Sequence, residues 1–461
     1  MTEKQHIAKM MQLLERNISE VCLFSIPGRV NLIGEHTDYS NCPVFPMAVD
    51  RKIMALAAPR EDALVTLKNL DPKFESLTFT LSSEIPPYQR GSWGNYIKAG
   101  VQQLLSKDNT LLGKPHRITG FDLVVDSTLP PASGLSSSSA LVVLASLALL
   151  WGHGREPKNE AERIELAETC AAAEHYTGTQ GGGMDQAAIL LGRSGHGMMI
   201  NFNPLRYVQT PLPASHVFVV SHSGVTAPKT QRVMDAYNQR SIECALASAL
   251  VSRYAASQNF FSGITCLGDL RPEITGGDRE FGKQTAFEAV STTPYRVSDL
   301  ARELELPPEE IQQRWCIRRD GSLFPEPQEG FQIYKRLTHV LKEWDRVEKS
   351  HEALKTGDIA KFGEYMNESH ESCRMYQEVS SKELDLLTDI CRKAGAEGSR
   401  LTGAGFGGCA VSLVAKEQLE DFLAQTGKKY YLETMNLETW DHLMFPVEAS
   451  QGAEWFRMDE Q

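Results

Sequence analysis

The segment PPASGLSSSSALVVLASLALLWG, residues 130–152, constrains the fold more than any other. A loop of glycine and four consecutive serines feeds directly into a nearly apolar run from Ala140 to Trp151. That run suits a core helix and falls short of the ~20 residues that span a bilayer. A helix this apolar needs a sizeable core around it, and the 461 residues, 41% hydrophobic and 23% charged, supply one. The length allows two or three domains. The formal charge of −12, without a basic run, disfavours nucleic acid and anionic membrane as partners. Nine scattered cysteines without a CxxC pair indicate a reducing, cytoplasmic setting. The N-terminal stretch lacks the apolar segment of a signal peptide.

The four serines exceed what a helix cap requires, since one hydroxyl suffices and serine is a mediocre helix former. Free N–H groups at a helix start attract phosphate, and hydroxyl oxygens suit Mg²⁺, which also needs a carboxylate partner. AEHYTGTQGGGMDQAAILLG offers two: Glu174 in the last turn of one helix, and Asp185 after three glycines at the start of the next. Asp185 could be a plain helix cap. Gly181, Gly182 and Gly183, however, are entropically costly and best justified where backbone must approach a ligand, and an Asp presented there can act on a hydroxyl as base or anchor.

Upstream, VCLFSIPG at 21–28 reads as a strand ending in a turn region that carries Arg29, Glu35, His36 and Asp38 between apolar flanks. Carboxylate acceptors and an imidazole on a loop anchored this way suit a ligand with many hydroxyls, such as a sugar. Downstream, LTGAGFGGCAVSLV contains GxGxxG at Gly403, Gly405 and Gly408. β-prone sequence follows it and helical sequence precedes it, so it reads as a loop between a helix and a strand rather than a dinucleotide fingerprint. Gly277, Gly282 and Lys283 match GxxxxGK, but Gln284 replaces the required Ser/Thr and no strand precedes. Helices are expected near 232–256, 306–316, 330–356 and 381–394, and a boundary near 212, where Pro211 and Pro213 flank the chain.

Taken together and in this order, GRVNLIGEHTDY, PASGLSSSSA, GGGMDQ and LTGAGFGGC resemble the galactokinase branch of the GHMP kinases, over residues 20 to 415. GTQGGGMDQ, YRVSDLARELELPPEE and SCRMYQEVSSKELDLL look more like the eukaryotic-type forms, a group holding galactokinases and N-acetylgalactosamine kinases. The resemblance implies an α/β (α+β) two-domain fold with the active site in the cleft. An N-terminal ribosomal-S5-domain-2-like domain would span 1–212, and a ferredoxin-like α+β domain 213–461. It implies ATP-dependent phosphorylation of the anomeric hydroxyl of galactose with Mg²⁺. Asp185 would be base or acceptor, and Arg29 the cation that sustains its charge and offsets that on the phosphoryl group. Glu35, His36, Asp38, the backbone at Gly182 and Tyr237 would contact the sugar. Gly134, Leu135, Ser136, Ser137 and Ser138 would wrap the ATP phosphates, with Ser138 and Glu174 on Mg²⁺. Gly403 and Gly405 would complete the nucleotide side, and Trp93 resembles the adenine-pocket tryptophan, although a helix-start aromatic also suits plain core. N-acetylgalactosamine is the alternative substrate. Some members of the branch are non-catalytic sensors that have lost a Ser-Ala pair after the serine loop; this chain keeps Ser139 and Ala140.

Overall fold

Strand β1 (Cys22–Ile33) runs on through Pro27 and Gly28 instead of ending there. Its pairing with the C-terminal strand stops at Ser25, so Pro27 has no ladder bond to lose on that edge. Arg29 therefore lies within a strand and not in the turn after it. The structure, a computed structural model, describes residues 3–106, 110–113, 117–130, 134–178, 181–225, 231–318 and 322–460. Ser133 of the serine loop lies outside them.

The chain begins with α1 (Glu3–Leu14). After β1 come β2 (Phe45–Pro59), β3 (Leu64–Asn69), β4 (Leu77–Thr80), α2 (Gly94–Leu104), β5 (Phe121–Ser127), α3 (Ser137–Gly152), α4 (Glu160–Ala173), α5 (Met184–Leu191) and β6 (His196–Asn201). Next are β7 (Arg206–Pro211), β8 (His216–His222), α6 (Gln231–Ser257), α7 (Arg279–Ala289), α8 (Val297–Leu304), α9 (Pro308–Trp315), α10 (Ile333–Thr356) and α11 (Ile359–Ser372). The last are α12 (Lys382–Lys393), β9 (Gly398–Thr402), β10 (Cys409–Ala415), α13 (Leu419–Thr426), β11 (Met444–Val447) and β12 (Glu454–Arg457).

Two compact units result: Met1–Val30, Pro46–Met198 and Val447–Gln461 in the first, Asn31–Phe45 and Met199–Pro446 in the second. Residue 212 lies in the second, between β7 and β8. The first unit holds a mixed sheet in the order β12-β1-β2-β5-β3-β4, parallel only where β3 meets β5 among the pairings described. α1 packs on it through Met10 and Leu14 against Leu23, Leu56 and Val124. In α3, nearly every side chain from Ser139 to Leu150 is buried, as a helix apolar on all faces requires.

The second unit has an antiparallel sheet in the order β11-β8-β10-β9, covered by α12 through Leu384, Leu387 and Cys391. A separate core joins α6 to α10 around Leu246, Leu250, Leu337 and Leu341. Side-chain caps start α7 (Asp278), α11 (Asp358) and α12 (Ser381). The expected helix–loop–strand around the second glycine cluster is corrected. GSRLT forms the short, fully buried β9, so the loop 403–408 joins two antiparallel strands. Gly282 and Lys283 lie inside α7, where the lysine is engaged by Glu280 and Asp345. No described helix is long and apolar enough to cross a membrane.

Candidate active site

In the first unit, the expected phosphate loop and the expected catalytic pair form one cluster. Gly134 and Ser136 both have left-handed backbone, φ 75° and 57°, and α3 starts at Ser137. The loop is pinned to β1 by Arg29 N–H, which donates to Leu135 O at 3.2 Å. The approach is so close that a Cβ on Gly28 would lie 2.4 Å from Leu129 Cδ2 and 2.6 Å from Leu135 O. Only glycine permits it.

Arg29 grips Asp185 bidentately, Nε to Oδ1 at 2.7 Å and Nη2 to Oδ2 at 3.0 Å, while Nη1 donates to Gly134 O. Such forked, charge-assisted bonds fix orientation as well as contributing energy. Ser136 Oγ also donates to Asp185 Oδ2, and Ser139 Oγ lies 3.3 Å from the same oxygen while bonding Glu174 Oε1. Glu174 caps α4 as expected at its C-terminal end. The hydroxyl that meets it is that of Ser139, one residue beyond the expected Ser138. A hydroxyl has one proton, so Ser139 cannot satisfy both carboxylates at once. Two carboxylates and a hydroxyl oxygen converging here form a hard-oxygen donor set. Ser137 and Ser138 are half-buried at the helix start, Leu135 is buried, and Gly182 is half-buried two residues before α5.

Trp93 caps the start of α2, with Nε1 donating to Glu75 O at 3.3 Å and its ring edge-on to Phe74. Flanking residues Glu75, Leu77, Tyr88, Gln89, Arg90 and Ser92 line a cavity of about 340 Å³.

In the second unit, the loop with Glu35, His36 and Asp38 is buried rather than solvated. Gly34 turns the chain into it with φ 95°, and a Cβ there would lie 2.8 Å from Val44 Cα. Its N–H donates to Glu343 Oε1 at 2.9 Å. Glu35 binds Arg400, Nη1 to Oε2 at 2.8 Å, and accepts from Gly403 N–H at 3.1 Å. Its carbonyl accepts from His339 Nε2 at 2.8 Å. The loop is thus tied to α10, to β9 and to the second glycine cluster. Burial pushes the Glu343 carboxyl up, but Arg346, His339 and Arg400 outweigh it and hold it at about 2. Arg400, Glu343 and His339 escaped the sequence reading. A lone arginine in the otherwise uncharged GSRLT was the one signal available.

His36 has left-handed backbone, φ 58°, with Nε2 3.1 Å from Ala404 O and Nδ1 3.2 Å from Tyr39 Oη. Its ring lies 5.2 Å from that of Tyr237 on α6. Both ring nitrogens are therefore engaged within the protein. Burial lowers its pKa to about 3, with His339, Arg240 and Arg400 acting in the same direction. Asp38 opens a short 3₁₀ turn, Asp38–Ser40. Gly405 follows Ala404 in the β9–β10 loop with φ 73°.

The galactokinase galactose-binding signature matches residues 15–59, the GHMP kinases N terminal domain residues 95–193, and the GHMP kinases C terminal family residues 350–431. A galactokinase of Dictyostelium discoideum is 32% identical over 444 residues, covering 90% of this chain and 85% of that protein. One from Roseiflexus sp. (strain RS-1) is 35% identical over 428 residues, covering 92% and 90%. The crystal structure of Lactococcus lactis galactokinase complexed with galactose matches with a TM-score of 0.75 at 27% identity, over 98% of this chain and 100% of that one. With the motifs and both family domains in order along it, the chain belongs to the galactokinase family of the GHMP kinases.

Proposed function

We propose that the chain transfers the γ-phosphoryl group of ATP to the anomeric hydroxyl of galactose, giving galactose 1-phosphate and ADP. The observation that carries this reading is the Arg29–Asp185 pair, bound bidentately and fastened through Ser136 and Gly134 to a loop at the start of a 16-residue helix. Such a helix start favours phosphate. Asp185 orients the hydroxyl of the sugar. Its Oδ2 accepts from Arg29 Nη2 and Ser136 Oγ, whereas Oδ1 accepts only from Arg29 Nε among the described donors, so Oδ1 is the oxygen that meets the sugar hydroxyl and receives the proton. In a loose transition state the nucleophile needs little activation, so the proton leaves late, as the new O–P bond forms and the bond to ADP breaks. Arg29 balances the charge that builds on the phosphoryl group.

Gly134, Leu135, Ser136, Ser137 and Ser138 cradle the phosphates, and Gly403 and Gly405 complete the nucleotide side. Trp93 is the proposed adenine-pocket residue. Ser138, Ser139 and Glu174 are the oxygen donors offered to Mg²⁺, and the shared Ser139 hydroxyl fits such an ion. Bound there, Mg²⁺ would neutralise phosphate charge. Glu35, His36, Asp38, Tyr237 and the backbone at Gly182 form the sugar side, Glu35 and His36 by holding the loop in shape, since their polar atoms are engaged within the protein. On this reading residues 1–212 carry the sugar loop, the phosphate loop and Asp185, and residues 213–461 carry Tyr237 and the second glycine cluster. Nine unpaired cysteines fit a reducing compartment, and a cytoplasmic placement is proposed with it.

The test is an ADP-release assay with ATP and Mg²⁺ on galactose, N-acetylgalactosamine and glucose in parallel, the sugar 1-phosphate being identified by NMR. Dominant galactose turnover is expected. Dominant N-acetylgalactosamine turnover would move the protein to amino-sugar phosphorylation with the same catalytic groups, and sugar binding without turnover would make it a sensor.

A further inference from the structure

Gln377 ends the π-helical turn Cys373–Gln377 in the stretch SCRMYQEVSS. Its side chain is fully buried, and among the described residues its Oε1 has no hydrogen-bond partner. An amide that leaves its own acceptor unpaired in the interior carries a cost that an apolar residue would avoid, so its N–H donors must matter. The turn is fastened from two sides. Arg240 donates Nε to Gln377 O at 2.7 Å and Nη2 to Glu378 O at 3.1 Å. Arg336 donates to Tyr376 O and, through Nη2 at 2.7 Å, to Glu378 Oε2. π-turns of this kind are frequent at functional sites.

From Gln377 a chain of hydrogen bonds leads into the sugar loop. Gln377 Nε2 lies 2.7 Å from Tyr39 Oη, Tyr39 Oη 3.2 Å from His36 Nδ1, and His36 Nε2 3.1 Å from Ala404 O. The far end fixes its direction. A carbonyl only accepts, so Nε2 of His36 carries the proton. A neutral imidazole has one N–H, so Nδ1 accepts, and Tyr39 must donate to it. The tyrosine oxygen then accepts from Gln377. Burial of His36 and of the Tyr39 phenol keeps both groups uncharged, as this chain requires.

We infer that Tyr39 and Gln377 are positioning residues of the sugar-binding loop: their one-way relay locks His36 in the Nε2–H tautomer and so ties that loop to Ala404 in the second glycine cluster. The His36 ring is thereby held against Tyr237, tilted 49° to it, and Tyr237 is on the same helix as Arg240. The sugar role rests on the galactokinase reading; the relay itself does not.

Histidine-¹⁵N NMR of the full chain at pH 7 tests the relay directly, the His36 signals being assigned by their loss in His36→Asn. Steady-state kinetics on Gln377→Glu and Tyr39→Phe tests its purpose. Gln377→Glu keeps the shape but, as a carboxylate flanked by Arg240 and Arg336, can only accept, which reverses the chain. The expected results are an Nε2–H tautomer in the native protein and its loss in Gln377→Glu. In both variants the galactose KM should rise about tenfold, while kcat and the ATP KM stay within about threefold. An Nδ1–H or doubly protonated His36 in the native protein overturns the relay, and an unchanged galactose KM in both variants overturns its role at the sugar. Equal losses in kcat and both KM values, with a lowered thermal midpoint, would reduce the two residues to scaffold. Should Gln377→Glu not fold, the native tautomer and Tyr39→Phe still decide. Absence of galactose turnover in the native protein would retire the galactokinase reading and the sugar role, leaving the tautomer to judge the relay alone.

Discussion

At the scale of single residues, the site is a small number of side chains whose hydrogen bonds leave little freedom. Asp185 receives Arg29 in a fork and the Ser136 hydroxyl on Oδ2, with the Ser139 hydroxyl shared between it and Glu174. Asp185→Asn keeps the shape but turns one oxygen into a donor that faces Arg29. Turnover should fall by at least ~10²-fold with the secondary structure unchanged by circular dichroism. Near-normal turnover would end the catalytic role. Ser138 and Ser139 separate two effects. Ser138→Ala is expected to raise the Mg²⁺ concentration needed for half-maximal rate and little else, whereas Ser139→Ala should also reduce kcat, since its hydroxyl touches both Glu174 and Asp185. A Mg²⁺ titration of the two variants side by side checks this, and a native-like curve for Ser138→Ala removes it from the metal's surroundings. That Glu174 and Asp185 come together was legible from the glycine-rich loop between their helices, whereas the pairing of Arg29 with Asp185 was expected only from the family resemblance. Which serine meets Glu174 was not, because one residue along a helix rotates a side chain by about 100° and sequence does not fix that phase.

At the scale of elements, strand β1 and the phosphate loop work as one piece. The missing side chain at Gly28 is what lets Leu135 O approach, so Gly28→Ala should cost about 1–3 kcal/mol of stability and weaken ATP use more than sugar use. Urea unfolding together with both KM values would show it, and a variant of native stability with a native ATP KM would mean that the loop does not depend on this contact. The long helices were legible: α3 from its apolar run, and α6 and α10 from the helical stretches 232–256 and 330–356. Others were hidden for identifiable reasons. The buried face of α11 includes Ser369, His370 and Ser372, so hydrophobic periodicity does not reveal it. β9 has five residues directly behind α12, and its buried arginine reads as surface. Without β9, the glycine cluster 403–408 could not be recognised as a hairpin loop.

At the scale of the whole molecule, the chain divides in a way that sequence order conceals: Asn31–Phe45 joins the second unit although its flanks belong to the first, and Val447–Gln461 returns to the first. The two units are expected to differ in their response to acid. Burial pushes the imidazoles of His36, His222, His339, His351 and His370 down, and all five belong to the second unit. His36 falls to about 3 and His339 to about 4. Between those values and the ordinary 6.5 the unfolded chain binds protons that the folded one does not. Stability is therefore lost as pH falls through that window, by about 1.4 kcal/mol per pH unit for each such histidine. Glu343, held at about 2, has the same sign but acts only below 4.5. In the first unit, burial raises Asp122, but Thr66, Arg16 and Arg60 bring it below its ordinary 3.8, so its contribution disappears only under stronger acid. Hydrogen exchange measured at pH 7 and pH 5.5, corrected for the intrinsic rate, should show peptides of the second unit losing protection first, above all those around 335–345 and 366–373. Earlier loss in the sheet of the first unit would mean that buried histidines do not set the acid limit of this fold.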